Sequence, residues 1–570
     1  MRRLRQERVR VAGDMDSFTQ EVIQDSLTAA SEEMFAAMAR AAMSSVIYEV
    51  LDFGVAITDA EGKLASVGAG IPGFVGMLAP AVQAVLTRHP RPSIHPGDIF
   101  IANDPYEGGV SHANDVVLAM PVFFEGRLIA WTANKGHWVD IGGMTPGSMS
   151  PDATELFQEG LILPPLKLFK AGSPVETLFA IIRANSRLPD QALGDLWAGV
   201  AALRLGERRL RELCGKYGRT TVVDAIRRYM DYGETMARNG LASLPEGEFR
   251  DTDRLDDGRE IKALIRISRG EMTIDLRDNP DQDDGPVNGT RDATLVGARA
   301  VFKSITLPEP WANAGCFRPL KVLTRPGSIF HAIRPAAVGL YYENKMRSKD
   351  LILKTLAPHM PDRLPAGHFS SICATVIRSQ TTGGPDRTFV EPQLGGWGAG
   401  HDRDGDSAQF SISHGDTFNC PVEVNESRNG IHVRRYALNP EAAGAGRFRG
   451  GKGVELHYEI VGRRGWVTAG YTRCAVPPWG LAGGADGTGN RIEIKRRGQA
   501  SEVGAAFNNA ELARGDVVRI ITGNGGGFGE PSRRSRKRIL QDLRDGYVSV
   551  TEAVETYRVA PDVAAGAAKS

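Results

Sequence analysis

The stretch "DVVLAMPVFFEGRLIAWTANKGH", from Asp115 to His137, consists of two apolar runs separated by Glu125 and Gly126. A two-residue break of this kind between strand-like runs predicts a β-hairpin. Asp115 is the first residue of the hairpin and His137 the last. Because strand ends are places where ligands from separate strands can converge, the sequence predicts a polar site at the mouth of this hairpin.

The residues before this hairpin predict further elements that bring another acid to a strand end. Ser17 to about Val46 carries apolar residues at helical spacing, and Phe53 to Val67 has the pattern of a second hairpin turning at Asp59–Gly62. A second helix and a strand that runs into the loop at Asn103 follow. Asp52 lies at the mouth of the second hairpin.

The pattern changes twice after residue 170. Three helical stretches fill residues 173–242, and short strands with glycine turns dominate to about residue 531, interrupted by one helix at Ala293–Thr306. The sequence therefore predicts an α+β fold in four parts. These are a disordered tail (1–14), a mixed α/β metal-binding domain with a helical segment (15–245), a large β-rich domain (246–535) and a C-terminal helical tail (536–570).

Composition excludes several classes of protein. A formal net charge of +1 over 570 residues gives no support to a nucleic-acid binder. The five cysteines form no C-x-x-C pair, so a disulfide framework or thiolate zinc site is not expected. No window approaches the ~20 apolar residues of a membrane span. We expect a cytoplasmic protein that binds neither membrane nor nucleic acid.

Imidazole and carboxylate groups recur around the first hairpin, as His112 with Asp115 and as His137 with Asp140. Together they suit a borderline divalent ion such as Zn²⁺, Mn²⁺ or Fe²⁺, and a mixed nitrogen and oxygen set can leave a position open for water. The alternative is that each pair is a loop turn held by local hydrogen bonds. Spacing alone leaves both interpretations open.

Other candidate sites have weaker support. The remaining histidines, His414 among them, form no cluster and are interpreted as surface or satisfied core residues. The glycine-rich "GNGGGFGEP" fits neither a P-loop nor a dinucleotide-binding pattern, so we expect sheet turns there. No G-x-S-x-G motif is present, so serine hydrolysis lacks its usual signature.

Several stretches, in one order from about Phe18 to Val559, resemble the hydantoinase B/oxoprolinase family. The early ones are "EEMFAAMARAAMSSVIYEVLDFGVAITDAEGKL", "NDPYEGGVSHANDVV" and "GHWVDIGGMTPGSM". Later ones are "NAGCFRPLKVLTRPGSI", "GAGRFRGGKGVE" and "GNGGGFGEP". So many matches in one order are not expected by chance.

This resemblance implies an enzyme made of two kinds of subunit. A hydantoinase A-like partner is expected to bind ATP and Mg²⁺, and this chain to carry a divalent metal, Zn²⁺ or Mn²⁺, with Fe²⁺ as a third candidate. Family members open cyclic amides such as hydantoins, 5-oxoproline and larger lactams, as caprolactamase does. A related branch carboxylates acetone or acetophenone. We expect a lactam or hydantoin substrate and a hetero-oligomer, such as a dimer of heterodimers.

The resemblance also implies roles for individual residues. It carries the family's metal ligands over to Asp52, His112, Asp115 and His137. Three acids in matching motifs are expected to orient the histidines or to act catalytically by proton transfer: Asp104, Asp140 and Glu159.

This chain departs from the family pattern at three places. Ala113-Asn114 stands where Leu-Pro is common, Phe74 where a histidine is frequent, and Val50 where an arginine is common. The first change keeps both ligands of the H-x-x-D stretch. The other two predict a substrate that differs from hydantoin itself.

The chemistry implied is hydrolysis of an activated amide. In this hypothesis the partner phosphorylates the carbonyl oxygen, which removes amide resonance, and metal-bound hydroxide attacks the activated carbon. One alternative is carboxylation of a phosphorylated enol in the manner of acetone carboxylase. Another is a non-catalytic scaffold whose His/Asp cluster is structural.

Overall fold

The predicted hairpin lies at the centre of a seven-stranded sheet. In the computed structural model, which describes residues 16–381, 386–412, 414–415 and 417–568, the predicted tail over 1–14 lies outside the described residues. The strands of this sheet are β1 (Phe53–Asp59), β2 (Leu64–Gly70), β3 (Ile99–Ala102), β4 (Asp115–Phe124), β5 (Arg127–His137), β6 (Leu166–Lys170) and β7 (Ser173–Pro174).

All neighbours in this sheet are antiparallel, in the order β2-β1-β5-β4-β3-β6-β7. The turn between β4 and β5 uses Glu125 and Gly126, both with positive φ (50° and 72°), the two-residue geometry that matches strand twist. This turn and one bulge place Asp115 directly opposite His137. Both predicted hairpins are confirmed.

Between residues 16 and 245, the structure has six α-helices in addition to this sheet. They are α1 (Ser17–Ala41), α2 (Ser45–Tyr48), α3 (Pro72–Arg88), α4 (Glu176–Asn185), α5 (Pro189–Tyr217) and α6 (Arg219–Ala242). The prediction of one helix to Val46 was wrong at its end. The backbone N–H groups of Met43 and Ser44 donate to the Asp195 carboxylate on α5, at 2.8 and 3.0 Å, so the helix stops before them.

The two faces of the sheet pack against different helices. Val116, Leu118 and Met120 of β4 join the core that contains α1 and α5, whereas the alternate residues Val117 and Ala119 join the core under α3. The same alternation continues to the strand ends. It therefore directs Asp115 and His137 toward the α3 side of the sheet.

The remaining part of the chain is rich in strands but also contains helices. The strands are β8 (Gly247–Arg254), β9 (Glu260–Ser268), β10 (Glu271–Asp275), β11 (Leu320–Leu323), β12 (Thr375–Gln380), β13 (Asp386–Glu391), β14 (Ile431–Leu438), β15 (Val454–Ile460), β16 (Arg464–Gly470), β17 (Arg491–Lys495), β18 (Glu502–Gly504), β19 (Ala506–Ala513) and β20 (Val517–Ile521). The helices are α7 (Arg291–Thr306), α8 (Tyr341–Leu356), α9 (Val422–Arg428), α10 (Arg536–Arg544), α11 (Val550–Glu555) and α12 (Pro561–Ala567).

These strands form three further sheets, ordered β11-β10-β9-β8, β13-β12-β16-β19 and β14-β15-β20-β17-β18. The last two share one hydrophobic core, with Ile377 and Val467 from one sheet and Leu456 and Ile520 from the other. The predicted helix at Ala293–Thr306 is confirmed as α7, and the end of the chain is helical as predicted.

Helix α8 was not predicted, because its charged side chains face inward. Glu343, Lys345, Arg347, Lys349 and Asp350 are all buried, so the sequence shows no polar face.

The predicted division near residue 245 can be compared with the order of the elements and with the cores they share. The switch from helix to strand occurs there, between α6 and β8. However, residues 332–346 and 372–390 contribute to the same core as α1 and α5.

All five cysteines lie in the described part of the chain and are free. No helix in the described part of the chain is long and apolar enough to cross a membrane.

Candidate metal centre

The four predicted metal ligands converge at one end of the seven-stranded sheet. The backbone N–H of His137 donates to the Asp52 carbonyl oxygen at 3.1 Å, which joins the end of β5 to the residue before β1. Asp115 lies opposite His137 in the β4–β5 ladder. The rings of His112 and His137 have centroids 5.2 Å apart. All four side chains are buried.

Three of these side chains, those of Asp52, His112 and His137, border a small cavity. Asp115 does not line it. The other lining residues are mostly apolar or aromatic: Phe74, Met149, Tyr341, Tyr342, Lys345, Ile372, Ala374, Val390, Pro392 and His414. The free volume of about 30 Å³ has room for about two water-sized groups. A ring-sized molecule therefore requires side chains in this wall to move.

His112 is held in one tautomer by the backbone. Its Nδ1 lies 2.9 Å from the Gly339 carbonyl oxygen, which can only accept, so Nδ1 carries a proton. Its Nε2 lies 3.3 Å from Asp115 Oδ1. A neutral ring would direct a lone pair at this carboxylate, so a proton or another cation between the two atoms stabilises the arrangement. A backbone carbonyl on the far nitrogen is also the usual support of a metal-binding histidine.

Asp115 already has one cation beside it, the Lys135 ammonium. Lys135 Nζ lies 2.8 Å from Asp115 Oδ2 and donates to Ser111 Oγ at 2.5 Å. Burial raises the pKa of the Asp115 carboxyl, but Lys135 and the two histidines outweigh burial and hold that pKa well below its usual value. Asp115 is therefore ionised throughout the neutral range.

Asp52 and His137 each have a polar atom that could coordinate a metal and that makes no hydrogen bond with a described residue. In the part of the chain that the structure describes, Asp52 Oδ1 and His137 Nδ1 are buried without a hydrogen-bond partner. Burial and the nearby Asp115 raise the pKa of Asp52 to about 8. Burial and His112 lower the pKa of His137 to about 3, which leaves the imidazole neutral and able to coordinate.

The residue types and unused atoms fit a divalent cation, although the ligand set is not preformed. Among the described residues, no group of three or more His, Cys, Asp or Glu side chains is already placed to hold an ion. Binding therefore requires these side chains to rearrange, and Lys135 must share Asp115 with the ion. The convergence was predicted from the sequence, whereas the Lys135 pair was not.

The three acids predicted to orient ligands or transfer protons do not line this cavity. Asp104 accepts from the backbone N–H of Tyr106 at 2.9 Å and from Arg334 at 2.5 Å. Asp140 accepts from the backbone N–H groups of Gly142 and Gly147. Both oxygens of Asp140 also bind Arg187, so Asp140 does not form a cluster with His137 as the sequence suggested.

Glu159 is connected to His112 through a short segment of backbone. Its Oε1 accepts from the N–H groups of Val338 and Gly339, at 2.7 and 2.5 Å, and Gly339 accepts from His112. Burial raises the pKa of Glu159 to about 8, against the lowering effect of these two N–H groups. Glu159 is therefore linked to the predicted ligand His112 through one intervening residue, Gly339.

Sequence reasoning missed Lys345 and His414 in the cavity wall and Lys135 beside Asp115. The interpretation of His414 as a surface or satisfied core residue was wrong, because its Nε2 is buried without a hydrogen-bond partner among the described residues. His414 is buried in the cavity wall, and burial, Lys345 and Lys349 lower its pKa to about 3. Lys345 reaches the cavity from α8. Lys135 lies on β5, two residues before His137 and therefore on the same face of the strand. This spacing could have predicted that Lys135 belongs to the site.

The structure shows the surroundings of all three departures from the family pattern. The Asn114 side chain donates to the carbonyl oxygens of Trp138 and Gly147, at 3.0 and 3.2 Å, so it ties the His112 loop to the loop after β5. Phe74 borders the cavity with its ring centroid 4.1 Å from Lys135 Nζ. Val50 is buried, where an arginine would need a partner.

Comparisons with known proteins cover nearly all of the chain. An uncharacterized protein of Methanocaldococcus jannaschii is 32% identical over 553 residues, covering 96% of each chain. Caprolactamase subunit beta of Pseudomonas jessenii is 30% identical over 565 residues, covering 96% of this chain and 97% of its own. The crystal structure of ATP-dependent caprolactamase from that organism superposes with a TM-score of 0.89 at 27% identity, covering 98% of this chain and 100% of the other.

The mixed α/β architecture is thus that of caprolactamase, and the resemblance seen in the sequence is confirmed. The profile described as Hydantoinase B/oxoprolinase matches residues 16–531, which include the entire seven-stranded sheet and the cavity at its end. The chain belongs to the hydantoinase B/oxoprolinase family.

Proposed function

We propose that this chain is the metal-carrying subunit of an ATP-dependent cyclic-amide hydrolase that works with a hydantoinase A-like ATPase subunit. The observation that carries the proposal is the convergence of four buried side chains, Asp52, His112, Asp115 and His137, with polar atoms of Asp52 and His137 that have no hydrogen-bond partner among the described residues. Its support from relatives is that caprolactamase is named as ATP-dependent and that the similar chain is named as its beta subunit.

The four predicted ligands are the groups that would hold the divalent ion. When bound in a mixed imidazole and carboxylate site, such an ion acts as a Lewis acid and lowers the pKa of water to about 7. The apolar wall, with Phe74, Ile372 and Val390, keeps bulk water away from the reacting carbonyl. Lys135 offsets the charge of Asp115 before the ion arrives.

Activation of the amide is assigned to the partner. Amide resonance makes the carbonyl a poor electrophile, and phosphorylation of the carbonyl oxygen by ATP removes that resonance and creates a good leaving group. In this division of labour, the partner binds the nucleotide and this chain supplies the cavity.

We assign positioning roles to the three acids outside the cavity. Asp104 and Asp140 hold the loops on either side of the β4–β5 hairpin, through Arg334 and Arg187. Glu159 holds the Gly339 peptide, which in turn holds His112. In this proposal each acid acts on the reaction through the backbone it fixes.

The test is an assay of the chain purified with its ATPase partner. Lactams, hydantoins and ketones are supplied with ATP, with and without bicarbonate, and both phosphate and organic product are measured. We expect a ring-opened product that forms without bicarbonate. A product whose formation requires bicarbonate would contradict hydrolysis and indicate carboxylation.

A variant pair links the activity to the cavity. His112→Ala is expected to lower kcat at least about a hundredfold and to remove the metal, as measured by elemental analysis, while circular dichroism stays unchanged. His432→Ala is the control, because His432 is exposed and pairs with Glu426 at 2.7 Å outside the cavity. Full turnover by metal-free His112→Ala contradicts the proposal and leaves a scaffold role.

A further inference from the structure

Lys345 is neither a predicted metal ligand nor one of the three positioning acids, although it lines the cavity. It lies on α8, is 3% exposed, and borders the same space as Asp52, His112 and His137. Its Nζ lies 5.0 Å from the centroid of the Tyr341 ring. Within the described part of the chain, this ammonium has no hydrogen-bond acceptor and no carboxylate at ion-pair distance.

The neighbouring lysines differ from Lys345 in this respect. Lys135 pairs with Asp115, and Lys349, one helical turn further along α8, donates to the Ile412 carbonyl oxygen at 2.7 Å. Both have protein acceptors that offset the cost of burial. Lys345 is therefore a buried cation that lines the cavity and has no protein acceptor among the described residues.

An unpaired buried ammonium is costly. Removing such an ion from water costs more free energy than the face of a tyrosine ring returns. An apolar residue of similar length would pack against Tyr341 without this cost. The charge of Lys345 is therefore explained best by a ligand that supplies the missing acceptor.

The charge balance of the cavity favours an anion as that ligand. Asp52 and Asp115 contribute two carboxyl groups, and Lys135 already lies against one of them. A divalent ion held by the predicted ligands adds two positive charges. With Lys345 included, the loaded cavity is positive and lined elsewhere by apolar and aromatic groups.

We propose that Lys345 binds the anionic group of the molecule that reacts in this cavity. The inference rests on the proposed function and makes it more specific. The group is either a carboxylate on the substrate ring or the phosphoryl group on its activated carbonyl oxygen. Both present oxygen atoms that accept charge-assisted hydrogen bonds from an ammonium.

The first experiment measures anion binding without turnover. Inorganic phosphate and acetate are titrated by calorimetry into the complex with its ATPase partner, at equal metal content, for the wild type, Lys345→Met and Lys345→Arg. We expect Lys345→Met to weaken at least one anion about tenfold or more, and Lys345→Arg to retain most of the affinity. Equal affinities for both anions in all three proteins would overturn the proposal.

Lys349→Met is the matched control. It removes a second buried lysine from the same helix, at a position that does not line the cavity. We expect lower stability in this variant and unchanged anion affinity. An equal loss of affinity in Lys345→Met and Lys349→Met means that α8 has been disturbed, and this also overturns a specific role for Lys345.

The second experiment separates the two sources of the anion. Pyrrolidin-2-one and its 5-carboxylate share one ring and differ in charge. A KM increase of about tenfold for the carboxylate alone in Lys345→Met assigns Lys345 to the substrate carboxylate. A similar fall in kcat for both, with phosphate release exceeding ring opening, assigns it to the phosphoryl group. Unchanged kinetics with both substrates overturn the proposal.

The two experiments also distinguish this inference from the function on which it rests. If the wild type opens no ring but loses anion affinity on the Lys345→Met change, the hydrolase proposal fails and the anion site stands. If rings are opened equally by both proteins and anion binding is equal, the function stands and the role of Lys345 fails.

Discussion

His112 Nδ1 donates a hydrogen bond to the Gly339 carbonyl oxygen at 2.9 Å, although 227 residues separate the two along the chain. The N–H of the same glycine donates to Glu159 at 2.5 Å. One peptide segment therefore connects a buried acid to a predicted metal ligand. The orientation of His112 therefore depends on this segment as well as on its own loop.

Replacing Glu159 tests this connection. In Glu159→Ala the N–H groups of Val338 and Gly339 lose their acceptor, at a cost of about 1–3 kcal/mol for each orphaned group, and we expect metal affinity to fall about 10–100-fold. Glu159→Gln keeps an acceptor oxygen and is expected to retain kcat within about threefold. Metal titration, thermal unfolding and kcat are the measurements. A hundredfold loss of kcat in Glu159→Gln, with metal retained, would show that the carboxyl itself transfers a proton.

The same acid predicts a pH dependence of stability. Burial raises the pKa of Glu159 to about 8 in the folded chain, well above its ordinary value of 4.5. Between these values the folded state holds a proton that the unfolded state releases, so the contribution of Glu159 to stability falls as pH rises from about 4.5 to about 8. The slope is at most about 1.4 kcal/mol per pH unit.

Glu159→Gln removes this contribution, so the difference in unfolding free energy between wild type and variant isolates it from other titrating groups. We expect the wild type to lose stability relative to the variant from pH 5 to pH 8, and the difference to level off above pH 8. Denaturant unfolding at several pH values measures it. A difference that is constant with pH contradicts the raised pKa.

Lys135 predicts how the protein responds to metal. Removing one partner of a buried ion pair costs about 3–5 kcal/mol, and Asp115 and Lys135 are both fully buried. We therefore expect Lys135→Met to lower the Tm of the metal-free chain strongly. Added divalent ion should then raise Tm by more in the variant than in the wild type, because the ion replaces the missing positive charge beside Asp115.

Lys167→Met is the control for this experiment. Lys167 forms a largely buried pair with Asp98 at 2.7 Å, outside the cavity. We expect it to lose stability and to gain no additional response to metal. If Lys135→Met responds to metal no more than Lys167→Met does, the ion does not bind beside Asp115.

Local sequence patterns were sufficient to predict the part of the site that lies on the seven-stranded sheet. The alternation along β4 and β5 and the Glu125–Gly126 turn place Asp115 opposite His137, and the hairpin β1–β2 places Asp52 beside them. These relationships follow from strand periodicity and turn length. The sequence could thus predict which groups converge without any knowledge of the rest of the chain.

The opposite wall of the cavity could not be predicted in this way. Lys345 and Tyr341 come from α8, whose inward charges conceal its helical period, and His414 comes from a loop more than 270 residues beyond His137. The pairing of Asp140 with Arg187 depends likewise on tertiary packing. Spacing alone assigned Asp140 to His137, because it could not represent a competing cation from a distant segment.

Phe74 provides a test of substrate choice. Its ring borders the cavity and lies 4.1 Å from Lys135 Nζ, at a place where the family pattern has a frequent histidine. An imidazole there offers a hydrogen bond that a phenyl ring lacks. We expect Phe74→His to raise kcat/KM for hydantoin relative to a lactam of similar size by about tenfold, the effect of one additional hydrogen bond of about 1.4 kcal/mol.

Phe74→Leu separates polarity from volume in the same test. Leucine shortens the side chain without adding a donor, so it is expected to change KM for both substrates in the same direction and to leave their ratio within about twofold. Both variants lose the contact of the ring with the Lys135 ammonium, which is worth about 0.5–2 kcal/mol, so unfolding is measured alongside the kinetics. An unchanged hydantoin-to-lactam ratio in a folded Phe74→His protein shows that this position does not touch the substrate. Selectivity must then come from other parts of the wall.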